Sequence, residues 1–324
     1  INPIITLRFE TSSMNPMLTN LSPIFSLLLG FVLTLILTPA SIKIGNAVQA
    51  VDQPGDLSIH SKPTPRFGGL AIFLGVAGTL LVFPNVWQFM PPRTRVLLGL
   101  ALLSIFLTGV ADDIRDLNAK TKFLLQVVST ALAAFGLYFI FFPPLLPLVL
   151  AALFLLLYTN SFNLIDGMDG LATGLALIVA LALAVIAFYM QNSFVLSAAL
   201  LIASSCAAFL LFNWNPAKIF LGDSGSTFLG FTLALLASML WLSAEMWFVF
   251  LPLLVVAAIP LIDTVAAVWR RLKQRTSIFA GDRNHLYDVL LQRGFSTGQT
   301  LFIFYSSAIL CASIGVSLFL LHIS

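Results

Sequence analysis

The 324-residue chain is 59% hydrophobic and 9% charged, with a net charge of +3 and a mean hydropathy of +1.02. An ordinary soluble domain carries about 25% charged residues, so a water-soluble fold is excluded. The apolar stretches show no alternation of polarity, which excludes a membrane β-barrel and leaves an all-α, polytopic transmembrane helix bundle.

Residues 1–20 lack a basic segment followed by an apolar run, so they read as a flexible flank, native or left by cloning, with Met14 and Met17 as candidate starts. Residues 21–324 read as a single integral-membrane domain. A hydrocarbon core of ~30 Å requires about 20 apolar residues per helix. About ten such stretches follow, near 22–42, 67–89, 93–111, 122–142, 145–160, 171–190, 193–212, 225–243, 247–269 and 299–321. Cys206 and Cys311 fall inside them with no metal spacing and read as apolar packing.

Alternation of ten helices puts the loops 43–66, 112–121, 161–170, 213–224 and 270–298 on one side and both termini on the other. Those loops and their margins hold 13 of the 16 Lys and Arg residues, which makes that side cytoplasmic and the termini non-cytoplasmic. Most carboxylates gather there too, leaving Glu10, Glu245 and the intrahelical Asp263. Carboxylates collected at helix ends repel one another unless a cation joins them, so the pattern suggests a metal site; solvated loop charges are the plain alternative.

The third stretch ends in Asp112-Asp113-Ile-Arg-Asp116, followed by Lys122. If the helix continues, Asp112 and Asp116 share a face, an arrangement that suits a hard cation on a diphosphate, and Lys122 offers a point charge to phosphate. The next loop carries Asn160, Asn163, Asp166-Gly and Asp169-Gly. An Asp-Gly pair alone marks a turn, but polar groups repeated at membrane depth persist where they line a cavity. Then comes Asn213-Trp-Asn215-Pro through Phe220-Leu-Gly222-Asp223-Ser-Gly-Ser, a turn that opens a helix with free amides for an anion and Asp223 for a metal. A serine-protease reading of Gly-Asp-Ser-Gly fails on fold class and on the supply of histidines. The last loop has a basic run, Arg270 to Arg275, that anchors against anionic headgroups. Beyond it, Arg283, His285 and Tyr287 form a group suited to a diphosphate or a sugar.

Taken together, these motifs resemble the polyprenyl-phosphate N-acetylhexosamine-1-phosphate transferases, in the family's order and from about Ala40 to Gly294. The resemblance implies a cytoplasmic active site in the inner (plasma) membrane. In it Asn163 and Asp223 match metal ligands for Mg²⁺ (or Mn²⁺), and Asp112 and Asp113 match paired catalytic aspartates beside Asp116. Lys122 matches a phosphate-contacting lysine, and Asp166 and Asp169 match aspartates near the nucleotide. Asn213 and Phe220 match residues that pack around uracil, and Arg283 and His285 fall in the loop used toward the sugar. The chain departs from the pattern at His285-Leu-Tyr287-Asp288, where several members carry two or three adjacent histidines.

The reaction implied is attack by a polyprenyl phosphate oxygen on the β-phosphorus of a UDP-sugar, with release of UMP. The acceptor phosphate is largely ionised near neutral pH, so direct transfer is expected rather than a covalent intermediate on Asp113. The single-histidine loop favours UDP-N-acetylglucosamine or a close relative over a muramoyl-pentapeptide donor. The partners are thus the UDP-sugar, undecaprenyl phosphate and membrane lipid, with no nucleic acid; a homodimer is left open. A membrane prenyltransferase shares Asp-rich helix ends but has no uridine to bind. A transporter should carry charges near the midplane and inverted repeats, which are not seen.

Overall fold

A computed structural model describes residues 16–53, 63–87, 90–244, 247–277 and 284–323. Arg283, expected near the sugar, lies outside them. Helix α1 (Pro16–Ala47) leads through a minimal antiparallel pair, β1 (Val51–Asp52) and β2 (Thr64–Pro65), into α2 (Gly68–Val82). Four long helices follow, α3 (Pro92–Arg115), α4 (Ala119–Phe141), α5 (Leu145–Ile165) and α6 (Leu171–Tyr189). After them come α7 (Ser193–Asn213), α8 (Gly222–Ala244), α9 (Phe250–Val256), α10 (Ala258–Lys273), α11 (Leu286–Gln292) and α12 (Thr297–Ile323). Every expected apolar stretch contains a helix, two of them over only part of their length or in two pieces. Among the described residues, eight helices are long and apolar enough to cross a membrane, or nine if the bent pair α9–α10 is one span.

Two stretches differ from expectation. The 67–89 stretch is helical only to Val82, because Pro84 opens a separate 3₁₀ turn, and α2 is 15 residues long. The 247–269 stretch is broken at Ala257, where α9 and α10 meet at 80°. Pro260 accounts for the break: it has no N–H for the carbonyl of Val256, and its ring would collide with that carbonyl in a continuous helix. In the first turn of α10 the same proline costs little.

Helix α8 is the axis of the bundle, buried from Ser224 to Leu242 and packed by α2, α3, α5 and α6. The outer helices α1 and α12 turn Leu, Ile and Phe outward, as lipid-facing helices do. Several buried hydroxyls inside the bundle donate to the preceding turn, as Thr159 does to Leu155 O (2.6 Å) and Thr232 to Phe228 O (2.7 Å). At the site-bearing end of α8, α3 approaches so closely that a Cβ on Gly109 would stand 2.4 Å from the Asp223 carbonyl oxygen. That contact brings Asp112 and Asp113 onto the first turn of α8.

Candidate active site

Four helix ends meet around the ammonium of Lys122. Its Nζ lies 2.6 Å from Oδ2 of Asp112 on α3, 2.9 Å from Oδ1 of Asn163 on α5 and 3.1 Å from Oδ2 of Asp223 on α8. Lys122 is held there by the start of α4, where the Asn118 side chain accepts from Thr121 N (2.9 Å) and caps the helix. Asn163 closes the ring by donating to Asp223 Oδ1 and to Ser226 Oγ (3.1 Å). Asp112 also accepts from Leu117 N at 2.7 Å, which fixes its carboxylate.

Asp113 points elsewhere. It is 2% exposed, and its two oxygens accept from Asp223 N (2.7 Å) and Ser224 N (3.0 Å), amides of the first turn of α8 that have no partner within the helix. A carboxylate there also meets the positive end of the helix dipole. The chain enters this cap through Gly222 at φ +74°, a left-handed conformation open to glycine. Asp113 therefore sets the direction in which α8 presents the Asp223 side chain.

The expected i, i+4 pairing of Asp112 with Asp116 does not form. Helix α3 ends at Arg115, Asp116 turns left-handed at φ 47°, and its exposed carboxylate accepts from Arg66 Nη2 at 2.6 Å. Asp116 is thereby a tie to the β2–α2 segment.

The other two loops form a knot beside this centre. Asn213, 4% exposed, accepts from Gly170 N (3.2 Å) and Thr173 Oγ1 (2.9 Å) and donates to Ile219 O (3.0 Å). Asp169 Oδ2 accepts from Asn215 Nδ2 and Ala217 N, both at 3.0 Å. Two of the four residues expected near the nucleotide, Asn213 and Asp169, are thus engaged in holding the 166–170 loop to the 213–220 loop. Phe220, half-buried, uses its backbone to pair with Pro65 and Gly68. From α12, Tyr305 donates to Gly170 O at 2.7 Å and closes the knot from the far side. Asp166 is different: among the described residues its carboxylate has no hydrogen-bond partner. Its burial, and then the charges of Asp223, Asp113 and Asp169, push its pKa well above the ordinary carboxylate value.

His285 stands at the start of α11, 5% exposed, with Nδ1 2.6 Å from Oδ2 of Asp263 on α10. Asp263 is the functional candidate that sequence reasoning left outside the site, because a straight 247–269 helix puts it inside the membrane. The available signal was Pro260, three residues before it.

Among the described residues no group of three or more His, Cys, Asp and Glu side chains is set to hold a metal ion. The oxygens around Lys122 come from two carboxylates and one carboxamide, and three such hard donors converging on one cation suit Mg²⁺ as well as an ammonium. The donor set fits a divalent ion if Lys122 turns to a phosphate.

The chain is 35% identical over 310 residues to the probable undecaprenyl-phosphate N-acetylglucosaminyl 1-phosphate transferase of Bacillus subtilis, covering 89% of this chain and 85% of that protein. The profile of glycosyl transferase family 4 matches residues 95–241. The chain belongs to glycosyl transferase family 4. Two further family relatives span the chain. One is the decaprenyl-phosphate N-acetylglucosaminephosphotransferase of Mycobacterium leprae, 31% identical over 81% of this chain and 75% of its own. The other is the undecaprenyl-phosphate alpha-N-acetylglucosaminyl 1-phosphate transferase of Escherichia coli K12, 27% identical over 85% and 78%. The family 4 profile takes in α3 through most of α8, the segment that supplies Asp112, Lys122, Asn163 and Asp223. Family 4 membership makes the chain a membrane transferase and lends no support to the prenyltransferase and transporter readings.

Proposed function

We propose that this chain transfers N-acetylglucosamine 1-phosphate, or a closely related N-acetylhexosamine 1-phosphate, from a UDP-sugar to undecaprenyl phosphate. The observation that carries the reading is the ring of Asp112, Asn163 and Asp223 oxygens around Lys122, at the meeting point of four apolar helices. Such a place joins a lipid acceptor to a water-soluble donor, and its charges suit two phosphates that must be brought together. In the step, an acceptor phosphate oxygen forms a bond to the β-phosphorus of the donor. The bond from that phosphorus to the bridging oxygen breaks, and UMP leaves with the electron pair.

Asn163, Asp223 and Asp112 would hold Mg²⁺, which when bound supplies neutralisation of phosphate charge. Lys122 would then be able to turn from the carboxylates to a phosphate oxygen as a point charge. The acceptor's second pKa is ~6, so its attacking oxygen requires no strong base. The engagement of both Asp113 oxygens by α8 amides supports direct attack over a covalent intermediate on that residue. Asp166, His285 and Arg283 are the groups assigned to the donor, while Asp169 and Asn213 shape the floor on which it rests. The 13 of 16 basic residues on the loops of this end support a cytoplasmic orientation in the plasma membrane.

The test incubates the purified full chain with undecaprenyl phosphate, Mg²⁺ and a panel of UDP-sugars and identifies the lipid product by mass. A lipid-linked N-acetylhexosamine diphosphate is expected. A preference for UDP-muramoyl-pentapeptide refutes the choice of sugar, and no UMP from any donor refutes the reaction.

A further inference from the structure

The segment that carries Arg66 is bound into the site by its backbone. Arg66 N donates to Ala50 O (2.9 Å), and around it Phe220 N donates to Pro65 O (2.8 Å), Gly68 N to Phe220 O (3.0 Å) and Gly69 N to Leu221 O (2.9 Å). Gly69 touches the first turn of α8, where a Cβ on it would stand 2.2 Å from Gly225 N. The Arg66 carbonyl and the Asp113 carboxylate crowd one residue: a Cβ on Gly222 would stand 2.5 Å from Arg66 O and 2.9 Å from each Asp113 oxygen. Arg66 is therefore a fixed neighbour of the turn that presents Asp223.

Its side chain is far less matched than its backbone. Nη2 donates to Oδ1 of Asp116 at 2.6 Å, while Nε is buried and has no hydrogen-bond partner among the described residues. A guanidinium offers five donors in a planar fork that fits two oxygens of one anion, and here a single oxygen is engaged. The Asp116 side chain is 80% exposed against 32% for Arg66, and an ion pair to so solvated a carboxylate adds little to stability. Water can replace the guanidinium on Asp116 at small cost. Burial works against the charge of Arg66, yet Asp116, and behind it Asp113 and Asp223, hold its pKa above the ordinary arginine value. It remains a cation in the field of the two carboxylates that flank the first turn of α8.

Two phosphates must approach each other at this centre, and the Lys122 ammonium is shared between Asp112 and Asp223. A second cation aimed at the same place lowers the repulsion between the two anions. We propose that Arg66 is a phosphate-binding residue of the transfer reaction, turning its guanidinium from Asp116 to a pair of oxygens on a substrate phosphate, either of the acceptor lipid or of the donor diphosphate. This rests on the function proposed above. The plain alternative is a tie that only holds the end of α3 to the β2–α2 segment. A tie maintains the frame and so acts on both substrates alike, whereas a phosphate contact acts on one of them.

The test titrates the purified full chain, Arg66→Ala and Arg66→Lys with UDP-N-acetylglucosamine and with undecaprenyl phosphate, each alone with Mg²⁺, and follows UMP release and thermal unfolding in parallel. Arg66→Ala is expected to bind one substrate about ten-fold more weakly and the other within about two-fold of wild type, and to lose on the order of 10²-fold in UMP release. The substrate that weakens identifies the phosphate. Arg66→Lys keeps a charge beside Asp116 but loses the fork, so it should unfold near the wild-type temperature and recover only part of the affinity. Wild-type binding of both substrates by Arg66→Ala, or an equal loss for both with a lower melting temperature, overturns the inference. Should Arg66→Ala fail to fold, Arg66→Lys decides: weaker binding of one substrate supports the contact, and wild-type affinity for both overturns it. Binding requires no turnover, so a wild-type chain that binds both substrates and releases no UMP would sink the proposed function while the role of Arg66 was still read.

Discussion

Two polar clusters lie side by side at one end of the bundle and differ in what their hydrogen bonds accomplish. In the Asn213–Asp169 knot, carboxamide and carboxylate are matched by backbone amides, a carbonyl, a threonine hydroxyl and the Asn215 carboxamide, so the cluster closes on itself. Around Lys122, side chains meet side chains, and one ammonium is shared by two carboxylates and a carboxamide. The first arrangement fixes the geometry of two loops and leaves little charge to offer. The second holds charge that a phosphate or a divalent ion can redistribute. Asn and Asp in similar Gly-rich motifs thus perform opposite tasks, and the presence of a shared ammonium separates the chemistry from the scaffold.

Substitution should split the clusters by activity against stability. Asp223→Ala removes an oxygen from the Lys122 ring and should lower UMP release by about 10³-fold while the protein still extracts and unfolds near the wild-type temperature. Retained turnover with Mg²⁺ present would remove Asp223 from the chemistry. Asn213→Ala should reverse the balance. It strands the Gly170 and Thr173 donors and the Ile219 acceptor, at about 1–3 kcal/mol for each buried group left unmatched, so the melting temperature should fall by several degrees. Activity measured below that transition should drop by only about ten-fold; a loss as deep as that of Asp223→Ala would show that Asn213 belongs to the reacting centre.

The smallest effect is expected at Asp166, where function and stability oppose each other. Its folded-state pKa lies above its unfolded one, so the protein loses stability as pH rises from about 4 through the raised value. Asp166→Asn removes that titration and should raise the melting temperature near neutral pH, with no gain below about pH 4, while slowing turnover. A melting temperature that falls at neutral pH would mean the carboxylate is a stabilising group.

The helices were legible because lipid imposes one demand, a long apolar run with its backbone satisfied internally, and each expected stretch carries a helix, although 67–89 is helical only to Val82 and 247–269 is broken. Side-chain allegiance was less so. Asp116 looked like part of an i, i+4 carboxylate pair until a left-handed cap at its own position ended α3 and gave it to Arg66. Asp113 carried the same composition signal as Asp112, yet only the approach of α3 to α8 at Gly109 determines that one caps a helix and the other meets Lys122. Asp263 was hidden by the assumption of a straight helix, which Pro260 breaks. For Asp116 and Asp113 the missing information was a contact between distant segments that sequence spacing does not encode, whereas for Asp263 it was a local break that Pro260 signals.

The central claim is that the Lys122 centre joins a donor diphosphate directly to a lipid phosphate, and rapid mixing of enzyme, Mg²⁺ and UDP-N-acetylglucosamine tests it most directly. The account predicts no stoichiometric UMP in the absence of undecaprenyl phosphate, and one UMP for each lipid-linked sugar diphosphate once the acceptor is added. A burst of one UMP per enzyme without acceptor, with a phospho-sugar trapped on the protein, would contradict it.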